Sequence, residues 1–213
     1  MTGHPLLRVS LMMLAAALPS LAQSVTQVSG SQMLFSDPAF GVSFNFPAGW
    51  SFSRVDPNKR DSSLAIAYIN GHSEFSGLRG LVANETLPGL HSWPKTVFSS
   101  VGFGYDARPV ASAGACQKLA RESWDNEVDS ATVNSVKYWH GTAGGGTGAF
   151  SDEDIYATYI EESGACLRFD LAIATCRVPG RDLPRELTTR EKALIHASLN
   201  NILNSVRIAP PAR

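Results

Sequence analysis

The stretch IYATYIEESGACLRFDLAIA, residues 155–174, decides the fold class of this chain. Its two apolar segments are joined by turn-forming residues that end on Gly164, where a left-handed backbone is least costly. In the second segment apolar and polar or small side chains alternate, which is typical of a strand. The stretch therefore predicts an antiparallel hairpin with 155–160 as its first strand and 165–174 as its second. One face of the second strand carries Leu167, Phe169, Leu171 and Ile173, and the other carries Arg168, Asp170 and small residues.

A second alternating pattern lies nearer the N-terminus. Phe40, Val42, Phe44 and Phe46 alternate with small or polar residues, and Pro47-Ala48-Gly49 precedes Trp50 and Phe52. The pattern predicts another hairpin, with its turn at residues 47–49. Residues 23–34 before it are polar and show no apolar period, so we expect a flexible leader there.

The middle of the chain is harder to interpret. Glycine and proline interrupt helical spacing between residues 76 and 102, so we expect irregular structure with a short helix after Pro94; strands with loops are nearly as compatible. Apolar residues alternate again at Val101, Phe103 and Tyr105. Further strands are predicted over residues 116–124 and 133–140.

The C-terminal segment has the clearest helix signal. Thr188 and Glu191 have the Thr-x-x-Glu spacing of a capping box, in which each side chain accepts a hydrogen bond from a backbone amide at the helix start. A short strand over residues 205–208 and a disordered tail over 209–213 should follow the helix. The helix should bury one apolar stripe, formed by Leu194, Ile195, Leu199, Ile202 and Leu203.

Two segments, FSDPAFGVSFNFPAGWSF at 35–52 and LNNILNSVRI at 199–208, resemble the PsbP-like group of exported proteins. That resemblance implies an α+β fold, an α/β sandwich in which an antiparallel β-sheet is flanked by helices. We expect a single domain over residues 35–208. The plant members of the group assist photosystem II, but no ion-binding or partner-binding motif of theirs can be placed on residues of this chain.

The N-terminus has the pattern of a secretory signal peptide. Residues 1–22 combine Arg8, an apolar run over residues 11–18 and the small residues of Ser20-Leu21-Ala22 at the cleavage positions. We therefore expect a secreted or periplasmic protein. No other stretch approaches the roughly 20 apolar residues that a membrane helix needs, so no membrane span is expected after cleavage.

Composition limits the classes of partner. The chain of 213 residues is 44% apolar and 17% charged, with a formal net charge of −1, which is ordinary for a globular protein. Lysine and arginine residues are scattered among acids, whereas nucleic-acid-binding proteins usually carry a basic patch. We therefore expect no nucleic-acid partner.

The chain has 3 cysteines, Cys116, Cys166 and Cys176. Cys166 and Cys176 would lie about 33 Å apart along one strand, whereas a disulfide needs Cα atoms about 5 to 6 Å apart. If a disulfide forms, it should join Cys116 to Cys166 or to Cys176. Three buried, unreactive thiols fit the sequence equally well, because connectivity cannot be read from it.

The sequence offers one candidate site. Gly141–Gly148 reads GTAGGGTG, and Gly144-x-Gly146-x-x-Ala149 formally matches a dinucleotide-binding fingerprint. Acidic residues and a strand follow it instead of a helix, so we expect a flexible surface loop. His140, Asp152 and Asp154 flank this segment and are candidate ligands for a metal ion. We predict no catalytic residues and no cofactor, because no nucleophile, paired-acid or cofactor motif is complete.

These observations favour a non-enzymatic exported domain. Its partner would be a protein, an envelope component or a small ligand, bound across the sheet or near residues 140–154. The alternative is a hydrolase-type enzyme that uses His140 with Asp152 or Asp154, or a metal-binding protein with the same residues.

Overall fold

The computed structural model describes residues 22–53, 78–84, 96–121, 127–145, 149–176 and 184–210. The predicted signal peptide up to residue 21 and residues 211–213 of the predicted tail lie outside these ranges. The elements within them are, in chain order, β1 Ser24–Ser29, β2 Gln32–Asp37, β3 Val42–Pro47, β4 Ser51–Ser53, β5 Leu78–Asn84, β6 Phe98–Pro109, α1 Ala113–Lys118, β7 Val128–Val133, β8 Val136–Gly145, β9 Ala149–Ile160, β10 Ala165–Cys176, α2 Thr189–Ser205 and β11 Arg207–Ile208.

The described strands form two antiparallel sheets. The smaller has the order β1-β2-β3-β11, and the larger has the order β4-β5-β6-β10-β9-β8-β7. Helix α2 packs on β3, β6 and β10, while α1 packs on β9 and β10. The α+β fold class and the arrangement of helices on the faces of a sheet are therefore confirmed.

The main core lies between the two sheets and α2. It includes Phe35 and Phe44 from the small sheet, Tyr105 and Phe169 from the large sheet, and Leu199 from α2, all at most 1% exposed. The aromatic rings contact one another across the sheets; for example, the centroids of Phe35 and Tyr105 are 5.7 Å apart. Burial of these rings supplies a large share of the driving force for folding.

A buried charge also joins the two sheets. Asp37 at the end of β2 is fully buried and accepts hydrogen bonds from Arg79 of β5 and from Gln23 at 3.2 Å. The hydroxyl of Tyr105 donates to the same carboxylate at 3.4 Å. Burial is the main cause that raises the pKa of Tyr105, and the nearby Asp37 charge raises it further. The Asp37 charge is thus neutralised and hydrogen-bonded, as burial requires.

The hairpin that the opening stretch predicts is confirmed. β9 and β10 pair antiparallel with Ile160 opposite Ala165, and Gly164 has a φ of 62° in the connecting turn. The four apolar side chains predicted for one face of β10 belong to the main core. Cys166 lies in a second, smaller cluster on the opposite face, beneath α1.

The flexible leader predicted for residues 23–34 is wrong. These residues form β1 and the start of β2, paired with Val25 opposite Phe35. β1 is an edge strand with little buried surface, so it shows no alternation, yet its valine and threonine residues suit an extended backbone.

The hairpin predicted at residues 47–49 is also wrong. β3 pairs with β2 and β11 in the small sheet, whereas β4 pairs with β5 in the large one. The two strands nevertheless face one core, since the ring centroids of Phe46 and Phe52 are 6.2 Å apart. Alternation reveals which face of a strand is buried but not which strand lies beside it.

Three predictions for the middle of the chain need correction. Residues 78–84 and 98–102 are regular strand, and the described residues that follow Pro94, 96–102, contain no helix. The strand predicted at 116–124 is instead the short helix α1, whose N-cap Ser112 accepts a hydrogen bond from the Ala115 amide; residues 122–126 lie outside the described ranges. The strand predicted at 133–140 is interrupted by a turn, because Asn134 and Ser135 have φ values of 50° and 67°.

The C-terminal helix begins and ends nearly as predicted. The capping box of Thr188 and Glu191 is present in both directions, and β11 follows the helix. Leu194 is 54% exposed, however, so the stripe is narrower than predicted, and Glu191 takes a buried position instead.

The disordered tail predicted for residues 209–213 is wrong at residue 209. The Ala209 amide donates a hydrogen bond to the Gly41 carbonyl at 2.9 Å, so residue 209 is held against the start of β3. Gly41 has a φ of 66°, and a Cβ atom there would lie 1.9 Å from the Ala209 carbonyl oxygen. This contact therefore requires glycine at position 41.

The Glu191 carboxylate gives a testable pH dependence. It accepts hydrogen bonds from Arg185 at 2.6 and 2.7 Å and from the Thr188 amide at 2.8 Å. The hydrogen bonds from Arg185 are the main cause that lowers the pKa of Glu191 from 4.5 to about 2. Because the folded state lowers this pKa, the stabilisation is complete above pH 4.5 and is lost as the pH falls toward 2.

We expect Glu191→Gln to remove this part of the acid dependence. Urea unfolding at pH values from 7 to about 2 should show the free-energy difference between wild type and variant shrinking as the pH falls. Glu162→Gln, in the exposed turn after β9, is the matched control and should follow wild type at every pH. A constant difference between wild type and Glu191→Gln from pH 7 to 2 would contradict the assignment.

Candidate functional site

A groove runs between α2 and the neighbouring ends of β8 and β9. We call it the helix–sheet groove; its volume is about 510 Å³. Asp152 and Asp154 lie two residues apart on β9 and so face the same side, and Lys192 and His196 lie four apart on α2 and share one helix face. Its principal lining residues are Thr142, Gly144, Asp152, Asp154, Lys192 and His196.

Asp154 lies between two histidines. His140 Nε2 is 3.2 Å from Asp154 Oδ1, and His196 Nδ1 is 3.6 Å from Asp154 Oδ2. β8 and β9 pair with His140 opposite Tyr156, which makes Asp154 a diagonal neighbour on the same face. The His140 ring also packs against the Tyr156 ring, with centroids 4.6 Å apart. Two different elements therefore position imidazoles against one carboxylate.

Burial raises the pKa of Tyr156, and the charge of Asp154 adds to this effect. The phenol therefore stays protonated well above neutral pH, and Tyr156 serves as a neutral wall beside His140.

Asp152 has a different partner. Its Oδ2 is 3.6 Å from Lys192 Nζ, and both side chains are about half exposed, at 62% and 47%. The structure thus brings His140 and Asp154 together, as the sequence suggested, but pairs Asp152 with a lysine. No group of three or more His, Cys, Asp or Glu residues in the described ranges is arranged to hold a metal ion, and the metal site stays a prediction.

Lys192 and His196 are site residues that sequence reasoning missed. Their spacing places both on one face of α2, which was visible in the sequence. The helix places this face over Asp152 and Asp154 because of the way it docks on the sheet. No local sequence pattern encodes this docking.

The glycine-rich segment is not the surface loop that the sequence predicted. Residues 141–145 belong to β8 and only 146–148, outside the described ranges, separate it from β9. A Cβ atom on Gly141 would lie 1.9 Å from the Ala120 carbonyl oxygen, so glycine is needed where β8 passes beneath the end of α1.

The opposite face of the large sheet holds a second charged group of residues, which we call the buried ion cluster. Arg168 donates from Nε to Asp170 at 2.7 Å and from a terminal nitrogen to the Leu119 carbonyl at 2.8 Å, and it lies 3.9 Å from Glu153. Asp106 pairs with Arg108 beside it. Burial raises the pKa of Asp106 against the effect of Arg108, and the Asp170 charge raises it further.

Most side chains of the buried ion cluster are almost completely shielded from solvent. Glu153 and Asp170 have fully buried side chains, and Arg168 is 5% exposed. Its guanidinium connects β10 to the end of α1, where backbone carbonyls need donors.

Cys116 and Cys166 form a disulfide with Cα atoms 5.3 Å apart. This pairing is one of the two that the sequence left open, and Cys176 is a free thiol. The disulfide joins α1 to β10 in the smaller core cluster. Disulfides persist in oxidising compartments, so this one indicates a protein that functions outside the cytoplasm.

Among the described residues, neither helix combines the length and apolar character needed to traverse a bilayer.

Solved structures show a likeness at the level of the fold. The chain is similar to the solution structure of cyanobacterial PsbP (CyanoP) from Synechocystis sp. PCC 6803, with a TM-score of 0.47 and 10% identity over 87% of this chain and 98% of that one. It is also similar to a crystal structure from Bacteroides thetaiotaomicron VPI-5482, with a TM-score of 0.42 and 10% identity over 84% of this chain and 48% of that one.

No family model matches the chain. No curated protein matches it either.

Proposed function

We propose that the chain is an exported domain that binds a small ligand in the helix–sheet groove. The observation that carries this proposal is the groove itself, whose volume of about 510 Å³ is of the size that small-molecule sites have. Charged and hydrogen-bonding side chains converge on it from a strand and from a helix.

Export is the other half of the proposal. The signal-peptide pattern of residues 1–22 and the disulfide between Cys116 and Cys166 support it independently. The protein would then be secreted or periplasmic, without a nucleic-acid partner.

A groove-filling variant tests the binding role. Thr142 is an exposed groove residue, so Thr142→Trp should fill the cavity; Thr132→Trp, on the exposed part of edge strand β7, is the matched control. In a thermal-unfolding screen of amino acids, sugars, nucleotides and carboxylic acids, at least one compound should raise the wild-type midpoint by about 5 to 10 °C at 100 times its Kd.

The shift should disappear in Thr142→Trp and persist in Thr132→Trp. A shift of equal size in both variants would place the ligand outside the groove. Absence of a shift for every compound class in the screen would contradict a small-ligand role.

One observation favours a second candidate function, a hydrolase. A carboxylate that orients an imidazole is a common arrangement for general acid–base catalysis, and Asp154 contacts both His140 and His196. If ester, peptide or phosphate hydrolysis were detected, Asp154→Asn should lower turnover by about 100-fold or more. Unchanged turnover in that variant would exclude this candidate.

A further inference from the structure

The two walls of the helix–sheet groove carry opposite charges. The strand wall presents the carboxylates of Asp152 and Asp154, and the helix wall presents the Lys192 ammonium and the His196 ring. The carboxylates project from one face of β9 and the two nitrogen-bearing side chains from one face of α2, so an acidic side of the groove faces a basic side.

The contacts between these walls are loose. The closest approaches are 3.6 Å for Lys192 to Asp152 and 3.6 Å for His196 to Asp154. Elsewhere in the chain, the charged atoms of an ion pair lie as near as 2.6 Å, for example between Arg185 and Glu191. Groove pairs at 3.6 Å lie beyond hydrogen-bond distance, so both walls keep capacity to bind another charged group.

A ligand with a single charge would suit only one wall. A cation near Asp152 and Asp154 would also face Lys192, and an anion near Lys192 would face both carboxylates. A ligand that carries an ammonium and a carboxylate on neighbouring atoms satisfies both walls, since each of its charges meets the opposite sign.

We propose that the helix–sheet groove binds a small zwitterion of the α-amino acid or short-peptide class. The ligand ammonium lies against Asp154 and Asp152, and its carboxylate against Lys192 and His196. Asp154 is the fixed anchor, because His140 holds its other oxygen at 3.2 Å and only 26% of the side chain is exposed. This inference rests on the proposed function, since it names the ligand class of the same site.

The test uses the full chain and the 20 standard L-amino acids as probes in the thermal-unfolding screen. Each amino acid is added at a concentration about one hundredfold above a millimolar Kd where solubility allows. The amino acids that bind are then titrated by calorimetry. For the tightest binder, the N-acetyl derivative removes the ammonium and the carboxamide derivative removes the carboxylate. Each derivative should bind at least about tenfold more weakly than the free amino acid, because each loses charge-assisted hydrogen bonds.

Variants should separate the two walls. Lys192→Gln and Asp154→Asn should each weaken the free amino acid by about tenfold or more. Lys192→Gln should have little effect on the carboxamide derivative, which lacks the group that Lys192 binds. Lys137→Gln, an exposed lysine on β8, is the matched control and should bind like wild type. Circular dichroism and unfolding midpoints check that each variant is folded.

Failure of this inference is distinguishable from failure of the proposed function. The zwitterion assignment is wrong if a derivative binds as tightly as the free amino acid. It is also wrong if no amino acid binds while another compound binds wild type but not Thr142→Trp. In both cases the groove remains a binding site. If the amino acids bind Thr142→Trp as well as they bind wild type, both proposals fail.

Discussion

Arg168→Ala is expected to lower the free energy of unfolding by about 3 to 5 kcal/mol. The Arg168 side chain is buried, and its guanidinium donates to Asp170 and to the Leu119 carbonyl. Its removal leaves the Asp170 carboxylate buried without its cation, and Glu153 loses a positive neighbour at 3.9 Å. Uncompensated buried charge is among the costliest changes a folded protein can undergo.

The measurement is urea unfolding at neutral pH, with Arg190→Ala as the control. Arg190 lies on the exposed face of α2, so its removal should change the free energy of unfolding by no more than about 0.5 kcal/mol. A loss below 1 kcal/mol at neutral pH would show that the buried ion cluster does not depend on Arg168.

The second large effect concerns the disulfide. Replacing Cys116 and Cys166 together by alanine should cost about 4 kcal/mol, the loop-closure value for a crosslink between residues 50 apart in sequence. Cys176→Ala is the matched control, because Cys176 is a half-buried free thiol and has no crosslink to lose.

Chemical reduction gives an independent check. A reducing agent should destabilise wild type and Cys176→Ala by a similar amount and leave the double variant unchanged. Equal stability of the oxidised and reduced wild-type protein would mean that the crosslink does not stabilise the fold.

The elements that sequence predicted well are those with a complete local signal. Gly164 marks the turn of the β9–β10 hairpin, and the Thr188–Glu191 pair marks the start of α2. By contrast, α1 has only six residues, too few for an apolar period, and depends on Cys116 and Ala120 packing against the large sheet. Its structure comes from tertiary contacts, which a local pattern does not contain.

The part of the candidate site that is local in sequence was predictable, and the part that depends on tertiary contacts was not. His140 and Asp154 lie on adjacent strands of one hairpin, so proximity in sequence becomes proximity in space. His196 reaches Asp154 only because α2 docks across the sheet. The sheet wall of the groove was therefore open to prediction and the helix wall was not.

The disulfide also determines what a single break in the chain would do. Cys116 and Cys166 close a covalent ring that contains β7, β8 and β9, and with them the sheet wall of the groove. A protease that cut one peptide bond within that ring would leave both fragments joined through sulfur. The nicked protein would still migrate as one molecule until it was reduced, and the strands bearing His140 and Asp154 would remain tethered to the rest of the fold.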